Sequence, residues 1–376
     1  MQFELTETQR DIQKAAREYA EKEFDPDLAL ELDRDGKFPE TIFENACKLG
    51  FVGINYPEEY GGQSLGLFES ILVIEEFCRK DSGIGISISL ADMASSLIFR
   101  HGDEKQKMHF VVPVTQGKVT NTVAVTDSFN VRTRAEHQGS DYVVNGKKAF
   151  VLGGPMESII VTFCQIPSDS DSETSGAVML IVKREQKGVT LSERKRMMGV
   201  RMSSFHEVSF DQVRVPKDLR IGQEGKAEEY LPSFFSEQRI KTAAQALGIA
   251  QGAFERAVRH AKEREQFGRK IGQFQGIQFM LSEMLTQIEA GRSLVYRAAL
   301  SCDGGFPESE RLSSMARLFA ADVAIRTTLD SIQIHGGVGL MKEYSIERMF
   351  RDAKTIQNLG ETGLVQRALI GRSITT

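Results

Sequence analysis

The sequence predicts an α+β chain of three consecutive domains. Residues 1–117 read as an N-terminal helical domain, 118–225 as a middle β-domain resembling a small barrel or sandwich, and 226–376 as a C-terminal helical bundle. Three observations predict this order. Apolar residues recur at helical spacing in the first part, alternate in short runs in the second, and form long helical stripes in the third. At 376 residues the chain is long enough for two or three domains with a large buried core.

The elements follow in order. Thr6 and Gln9 form a capping box, and Ile12, Ala15, Ala16, Tyr19 and Ala20 make one apolar stripe behind it. The segments 39–50, 67–80 and 85–100 also have helical spacing, with breaks at 57-PEEYGG-62 and 101-HGDE-104. The runs 119-VTNTVAV-125, 142-YVVNGKKAFV-151, 158-SIIVTFCQI-166, 177-AVMLIV-182 and 206-HEVSFDQVRV-215 alternate as strands do. Asn145-Gly146 reads as a tight hairpin turn, and the Ser/Asp-rich residues 167–176 as an exposed loop. After 226, Leu247, Ala250, Phe254, Ala257 and Val258 form one helical stripe, and Leu318, Ala321, Ile325, Leu329 and Ile332 another. Gly304-Gly305-Phe306-Pro307 separates two long helices, as in an antiparallel bundle.

Composition excludes several classes. The net charge of −5 gives no electrostatic reason for a nucleic-acid or anionic-membrane partner. Cys47, Cys78, Cys164 and Cys302 are far apart, which argues against a zinc site or a disulfide framework. The N-terminal stretch is polar, and no apolar run reaches the length of a membrane span. These features describe a cytoplasmic, reduced protein.

Two segments point to a ligand. In 264-REQFGRKIGQFQGIQ-278 an arginine able to grip a phosphate and an aromatic able to stack on a flat ring lie between helices; the same composition also suits a simple helix joint. The run 333-QIHGGVGL-340 has three glycines that permit close backbone approach to a ligand. It follows a helix, and its glycines are not in dinucleotide-fingerprint order. A helix C-cap has the same look.

With 57-PEEYGG-62, 145-NGKKAFV-151, 199-GVRMSS-204, 212-QVRVP-216, 264-REQFG-268, 273-QFQGIQ-278 and 346-IERMFRDAK-354 added, the whole chain resembles the acyl-CoA dehydrogenase family. That resemblance implies helical, β and four-helix-bundle domains, a tetramer, and FAD at a subunit interface. It implies α,β-desaturation of an acyl-CoA thioester: a carboxylate takes the α-proton and the flavin takes the β-hydrogen as hydride. It assigns Arg264 and Phe267 to the flavin pyrophosphate and adenine side, Gln275 and Gln333 to the adenosine part, and Gly336 and Gly337 to the pyrophosphate loop. Phe150 and Thr126 fall beside the flavin ring, Thr362 after the catalytic loop, and Arg239 near the CoA adenine and the base region. An electron-transfer flavoprotein is the implied electron acceptor.

The chain departs from that pattern twice. Where family members read much like TEPGAGSD, this sequence has the shorter 125-VTDSFNVRTRAE-136; Thr126 remains, and Ser128 is the best surviving hydroxyl. Where many members have Tyr-Glu-Gly-Thr, this sequence has Leu359-Gly360-Glu361-Thr362, which puts glycine at the base position. One helical residue turns a side chain by roughly 100°, so Glu361 is also readable as a solvated acid favouring a helix N-terminus. Other members place the base just before the residue matching Arg239. Here that position is Gln238, and Glu237 is one residue off. Asp92 is the only acid in 83-GIGISISLADMASSLIF-99. A carboxylate there is desolvated unless it lies at a pocket wall, and desolvation raises its pKa toward a base's range; the resemblance then implies a cyclic or branched acyl group, while the plainer reading has Asp92 facing a polar domain interface. Asp92 is preferred among the three carboxylates.

Three functions remain open: an autonomous dehydrogenase with a relocated base, a half-active or non-catalytic subunit of a heteromeric dehydrogenase, and a non-redox acyl-CoA enzyme. The first is favoured because the pyrophosphate-side motifs are intact. His335, the Met-rich 196-RMMGVRM-202 and 184-REQKG-188 read as interface, packing and turn residues.

Overall fold

The computed structural model describes residues 4–128, 132–154, 156–167 and 174–375. The N-terminal unit contains α1 (Glu7–Glu23), α2 (Pro26–Asp35), α3 (Glu40–Lys48), α4 (Leu67–Lys80), α5 (Ser82–Ser89), α6 (Ser95–His101), α7 (Glu104–Phe110) and α8 (Val112–Thr115). The capping box forms as the sequence indicates: Gln9 N–H donates to Thr6 Oγ1 at 3.2 Å, and Thr6 N–H donates to Gln9 Oε1 at 3.0 Å. Tyr19, Phe24, Phe43 and Phe77 fill the core beneath α1.

The helix expected over 85–100 is broken. α5 ends at Ser89, and residues 90–94 turn before α6 begins. The cause is the first strand of the next domain. Asn121 N–H donates to Ala91 O at 3.0 Å, and its side-chain oxygen accepts from Ala94 N–H at 2.9 Å.

The middle domain contains β1 (Thr120–Ala124), β2 (Arg134–Gln138), β3 (Asp141–Leu152), β4 (Glu157–Pro167), β5 (Thr174–Lys183), β6 (Val189–Leu191), β7 (Phe205–Val215) and β8 (Arg220–Ile221). They form one sheet in the order β6-β7-β3-β2-β4-β5-β8, with β1 parallel to β4. Tyr142, Val144, Ile160, Leu180, Val208 and Val213 form its core. Asn145-Gly146 is not a hairpin turn. Both residues lie within β3, where the register with β7 shifts at a bulge. Gly146 has φ +141°, and a Cβ there would sit 2.5 Å from Thr133 Cα. Close chain approach therefore explains this glycine. Of the expected 167–176 loop, residues 168–173 lie outside the described residues, and Thr174–Gly176 begin β5.

The C-terminal unit holds α9 (Ala227–Glu263), the two-residue strands β9 (Glu265–Gln266) and β10 (Arg269–Lys270), α10 (Gln275–Asp303), α11 (Ser309–His335), α12 (Ile346–Asn358) and α13 (Gly363–Thr375). α9 packs backbone to backbone on α4. A Cβ on Gly248 would lie 2.3 Å from Glu75 O, and one on Gly252 would lie 2.2 Å from Arg79 O. The small residues Ala316, Ala320 and Ala324 make the buried face of α11. Its Leu318–Ile332 stripe is only half covered, with Leu329 exposed.

One carboxylate ties the three domains together. Asp352, on α12, accepts from Ser82 Oγ at 2.6 Å and from Val200 N–H at 2.6 Å. Burial pushes its carboxyl up to about 6, against those two bonds and the nearby Arg348 cation. A raised folded value makes the native state the better proton binder between the ordinary carboxyl range and about 6, so this contribution to stability is present in acid and lost as pH rises through about 6. Wild-type protein should therefore lose about 2 kcal/mol, relative to Asp352→Asn, between roughly pH 4.5 and roughly pH 7.5 in urea unfolding. Parallel stability curves for the two proteins would contradict this.

Candidate active site

All three domains contribute to a cavity of about 640 Å³. The N-terminal unit supplies Leu90 and Met93, the β-domain Thr122, Val125, Thr126, Ala149, Phe150 and Leu152, and α9 supplies Phe234, Phe235, Gln238, Arg239, Thr242 and Gln245. Arg317, Lys354 and the loop Leu359–Glu361 close it.

Among the described lining residues, Glu361 is the one carboxylate. It is not a solvated acid at a helix end. Its side chain is 19% exposed and is held by two hydrogen bonds from Arg239, Nε to Oε2 at 2.6 Å and Nη2 to Oε1 at 2.9 Å. The one-residue offset expected to turn it away does not apply, because the loop is irregular and Gly360 adopts φ +71° before α13 starts at Gly363. Arg317 anchors this loop from below. It is buried, and its Nη2 donates to Ile356 O and to Leu359 O, the latter at 3.2 Å. Burial lowers Arg317 to about 10, with the Glu361 charge opposing.

Asp92 and Glu237 sit elsewhere. Neither is among the residues lining the cavity. Glu237 is buried, 2.5 Å from Arg100 and 3.0 Å from Lys241. Asp92 is buried in the 90–94 break, with Lys241 Nζ at 3.7 Å. Burial raises the Asp92 carboxyl, with Lys241 opposing. For Glu237 burial also acts upward, but Lys241 and Arg100 outweigh it and the net shift is downward. Lys241 is raised, because Asp92 and Glu237 overcome its own burial. Asp92, Glu237 and Lys241 form a buried charge cluster joining α9 to the N-terminal unit, with Arg100 at its exposed rim.

On the β side, Thr126 is exposed at the cavity edge. It is held in place by Lys148, a fully buried lysine whose Nζ donates to Val125 O at 2.8 Å and contacts Asp127 Oδ1 at 2.7 Å. Phe150 lies at a second β3 irregularity with φ +53°, its ring half exposed and Lys195 Nζ 5.0 Å from its centroid. Ser128 is not a free hydroxyl: it donates to Glu207 Oε2 at 2.7 Å and does not line the cavity. Met197 and Met198 do line it, so the Met-rich stretch is more than packing.

The remaining sequence-assigned residues are not brought to the cavity within one chain. Arg264 ends α9, and Phe267 is the 90% exposed tip of the β9–β10 hairpin. Gln275, Gln333, Gly336, Gly337 and Thr362 are also exposed. His335 is buried and stacks on His260 with centroids 4.4 Å apart, which places the ends of α9 and α11 side by side.

Family models cover nearly the whole chain. The acyl-CoA dehydrogenase N-terminal domain matches residues 6–118, the middle domain 94–213 and the C-terminal domain 229–375. The chain belongs to the acyl-CoA dehydrogenase family. It is 36% identical, over 100% of both chains, to a short-chain-specific acyl-CoA dehydrogenase of Clostridium acetobutylicum. Its fold matches butyryl-CoA dehydrogenase from Megasphaera elsdenii with a TM-score of 0.93 at 32% identity, covering 100% of each chain. It also matches a chain solved in work on the electron transferring flavoprotein of Acidaminococcus fermentans, with a TM-score of 0.94, 35% identity and 100% coverage of each. As a family member the chain is a flavin oxidoreductase.

Sequence reasoning missed Arg317, Lys148, Lys241, Thr242 and Gln245. Arg317 had a legible signal, since it interrupts a face of serine and alanine on α11. Lys148 carried none, because its neighbour Lys147 looks the same in sequence. Removing the buried cation from this cluster should be costly. Lys241→Met is expected to destabilise the protein by about 3 kcal/mol, since it strands buried Asp92. Adding Asp92→Asn should restore part of that loss in urea unfolding; a double variant no more stable than the single would refute the charge argument.

Proposed function

We propose that this protein is an FAD-dependent acyl-CoA dehydrogenase in which Glu361 is the base. The observation that carries the reading is that Glu361 is the sole carboxylate among the described residues facing the cavity, while Asp92 and Glu237 are committed to Lys241. The cyclic or branched acyl group tied to Asp92 loses its basis with it.

The cavity suits a flat ring beside an acyl chain. Val125, Thr126, Ala149, Phe150 and Leu152 form the wall for the ring, and Thr126 makes no side-chain hydrogen bond among the described residues. Bound there, FAD supplies the acceptor for the β-hydrogen, taken as hydride. Glu361 removes the α-proton, the α,β double bond forms, and the proton stays on the carboxyl group. Arg239 positions that carboxylate. Oε2 also accepts from Gln366 Nε2 at 3.3 Å, whereas among the described residues Oε1 accepts only from Arg239, so Oε1 has the free lone pair for the proton. Buried Arg317, which also lines the cavity, fixes the loop through its bonds to Ile356 O and Leu359 O.

Arg264, Phe267, Gln275, Gln333, Gly336 and Gly337 are proposed to grip the adenine and pyrophosphate end of FAD bound to a neighbouring chain, with Thr362 beside the catalytic loop. A phenyl ring 90% exposed at a hairpin tip, with Leu329, Leu340 and Leu364 exposed on the same bundle, supports a partner chain there. A second copy is the simplest partner, in a tetramer, and an electron-transfer flavoprotein is the proposed electron acceptor.

Glu361→Gln should retain FAD per chain but slow flavin bleaching by acyl-CoA by about 10²–10⁴-fold. Loss of bleaching in Asp92→Asn with an active Glu361→Gln would overturn the assignment. A chain that stays colourless when FAD is added would replace autonomous activity with the half-active-subunit reading.

A further inference from the structure

The acyl side of the cavity is walled by Leu90, Met93, Val123, Phe234 and Phe235, yet α9 sets three neutral polar side chains into that wall. Gln238, Thr242 and Gln245 are spaced four and three residues apart, which puts them on one helix face. The two ends of that stripe differ. Gln238 precedes Arg239, the partner of Glu361, so it belongs to the reacting end; its Nε2 is buried and finds no acceptor. Gln245 lies about 10 Å farther along the helix axis, away from the chemistry.

Gln245 is 2% exposed and lines the cavity. Its Nε2 donates to Ser89 Oγ at 2.8 Å, and Ser89 in turn donates to Ile86 O at 2.8 Å. The carboxamide oxygen accepts nothing among the described residues. On β1, Thr122 is 1% exposed, lines the same cavity, and its hydroxyl is also without a partner among the described residues. A purely alkyl substrate would leave both groups dry and unpaired, which is costly. Neither group is charged, so neither calls for an anionic substituent.

We infer that the acyl group carries an uncharged hydroxyl remote from the thioester, and that Gln245, with Thr122, is the specificity-determining pair that recognises it. A hydroxyl both donates and accepts, so it can pair with the open carboxamide oxygen and with the threonine hydroxyl. This inference rests on the acyl-CoA reading above and names its substrate class.

The test measures dissociation constants by anaerobic calorimetry on the FAD-loaded protein. The probes are butyryl-CoA and valeryl-CoA against the same thioesters bearing a hydroxyl at C4 or C5. At least one hydroxylated thioester should bind about tenfold tighter than its parent, and Gln245→Leu should abolish or reverse that preference while binding the parent at least as well. Because the readout is a ratio of two ligands on one protein, partial loss of folded Gln245→Leu does not change it. Thr122→Val, which keeps the side-chain shape, should reduce the same ratio. Equal binding of parent and hydroxylated thioesters, or a preference that survives Gln245→Leu, overturns this inference and leaves the proposed function standing. Failure of every thioester to bind overturns both.

Discussion

The close approach of α9 to α4 is the constraint on which the rest of the architecture depends. Two glycines one helical turn apart let the backbones meet where any side chain would collide with a carbonyl. α9 is 37 residues long and supplies most of one cavity wall, so its depth against α4 sets the depth of the site. Around this contact the polar groups are paired. Glu75 accepts from Arg292 Nε and Tyr296 Oη, each at 3.0 Å, and Arg79 donates to Glu255 at 2.9 Å. Backbone proximity and buried ion pairs together fix both the distance and the register between the helices.

The same helix separates two kinds of charge. On one face Glu237 and Lys241 turn into the N-terminal unit and pair with buried Asp92 and with Arg100 at the surface. On the adjoining face Arg239 and Gln238 meet the cavity. A single residue of offset along α9 thus decides whether an acid is structural or faces ligand. The Leu359–Thr362 loop shows the converse. There an offset of one residue is absorbed by a left-handed glycine, and the carboxylate still reaches the cavity.

The domain order and most elements were legible in the sequence because periodicity reports burial directly. The capping box at Thr6 and the joint at 304–307 appear where expected. The errors came from contacts distant in sequence. Asn145-Gly146 has the composition of a turn, but Thr133 pressing on the strand accounts for its glycine. The 83–99 run has helical composition, but Asn121 takes up the backbone groups that would have continued the helix. Asp92 was correctly read as desolvated, and what sequence could not supply was its lysine, 149 positions away on another domain. Arg239 could be placed near the base region, whereas its two-bond grip on Glu361 required the fold.

Asp352 gives the chain a mechanical unity that its sequence boundaries conceal. Its two oxygens are shared between a serine of the first domain and a backbone amide of the second, while the residue itself belongs to the third. Cutting the chain at either compositional boundary would leave a buried hydroxyl or amide facing empty space. The three domains are separately recognisable in sequence, but this residue gives them one shared buried junction. The last helical turns before the cavity loop are keyed into both of the other units, so the loop bearing Glu361 can be no more ordered than the junction of all three.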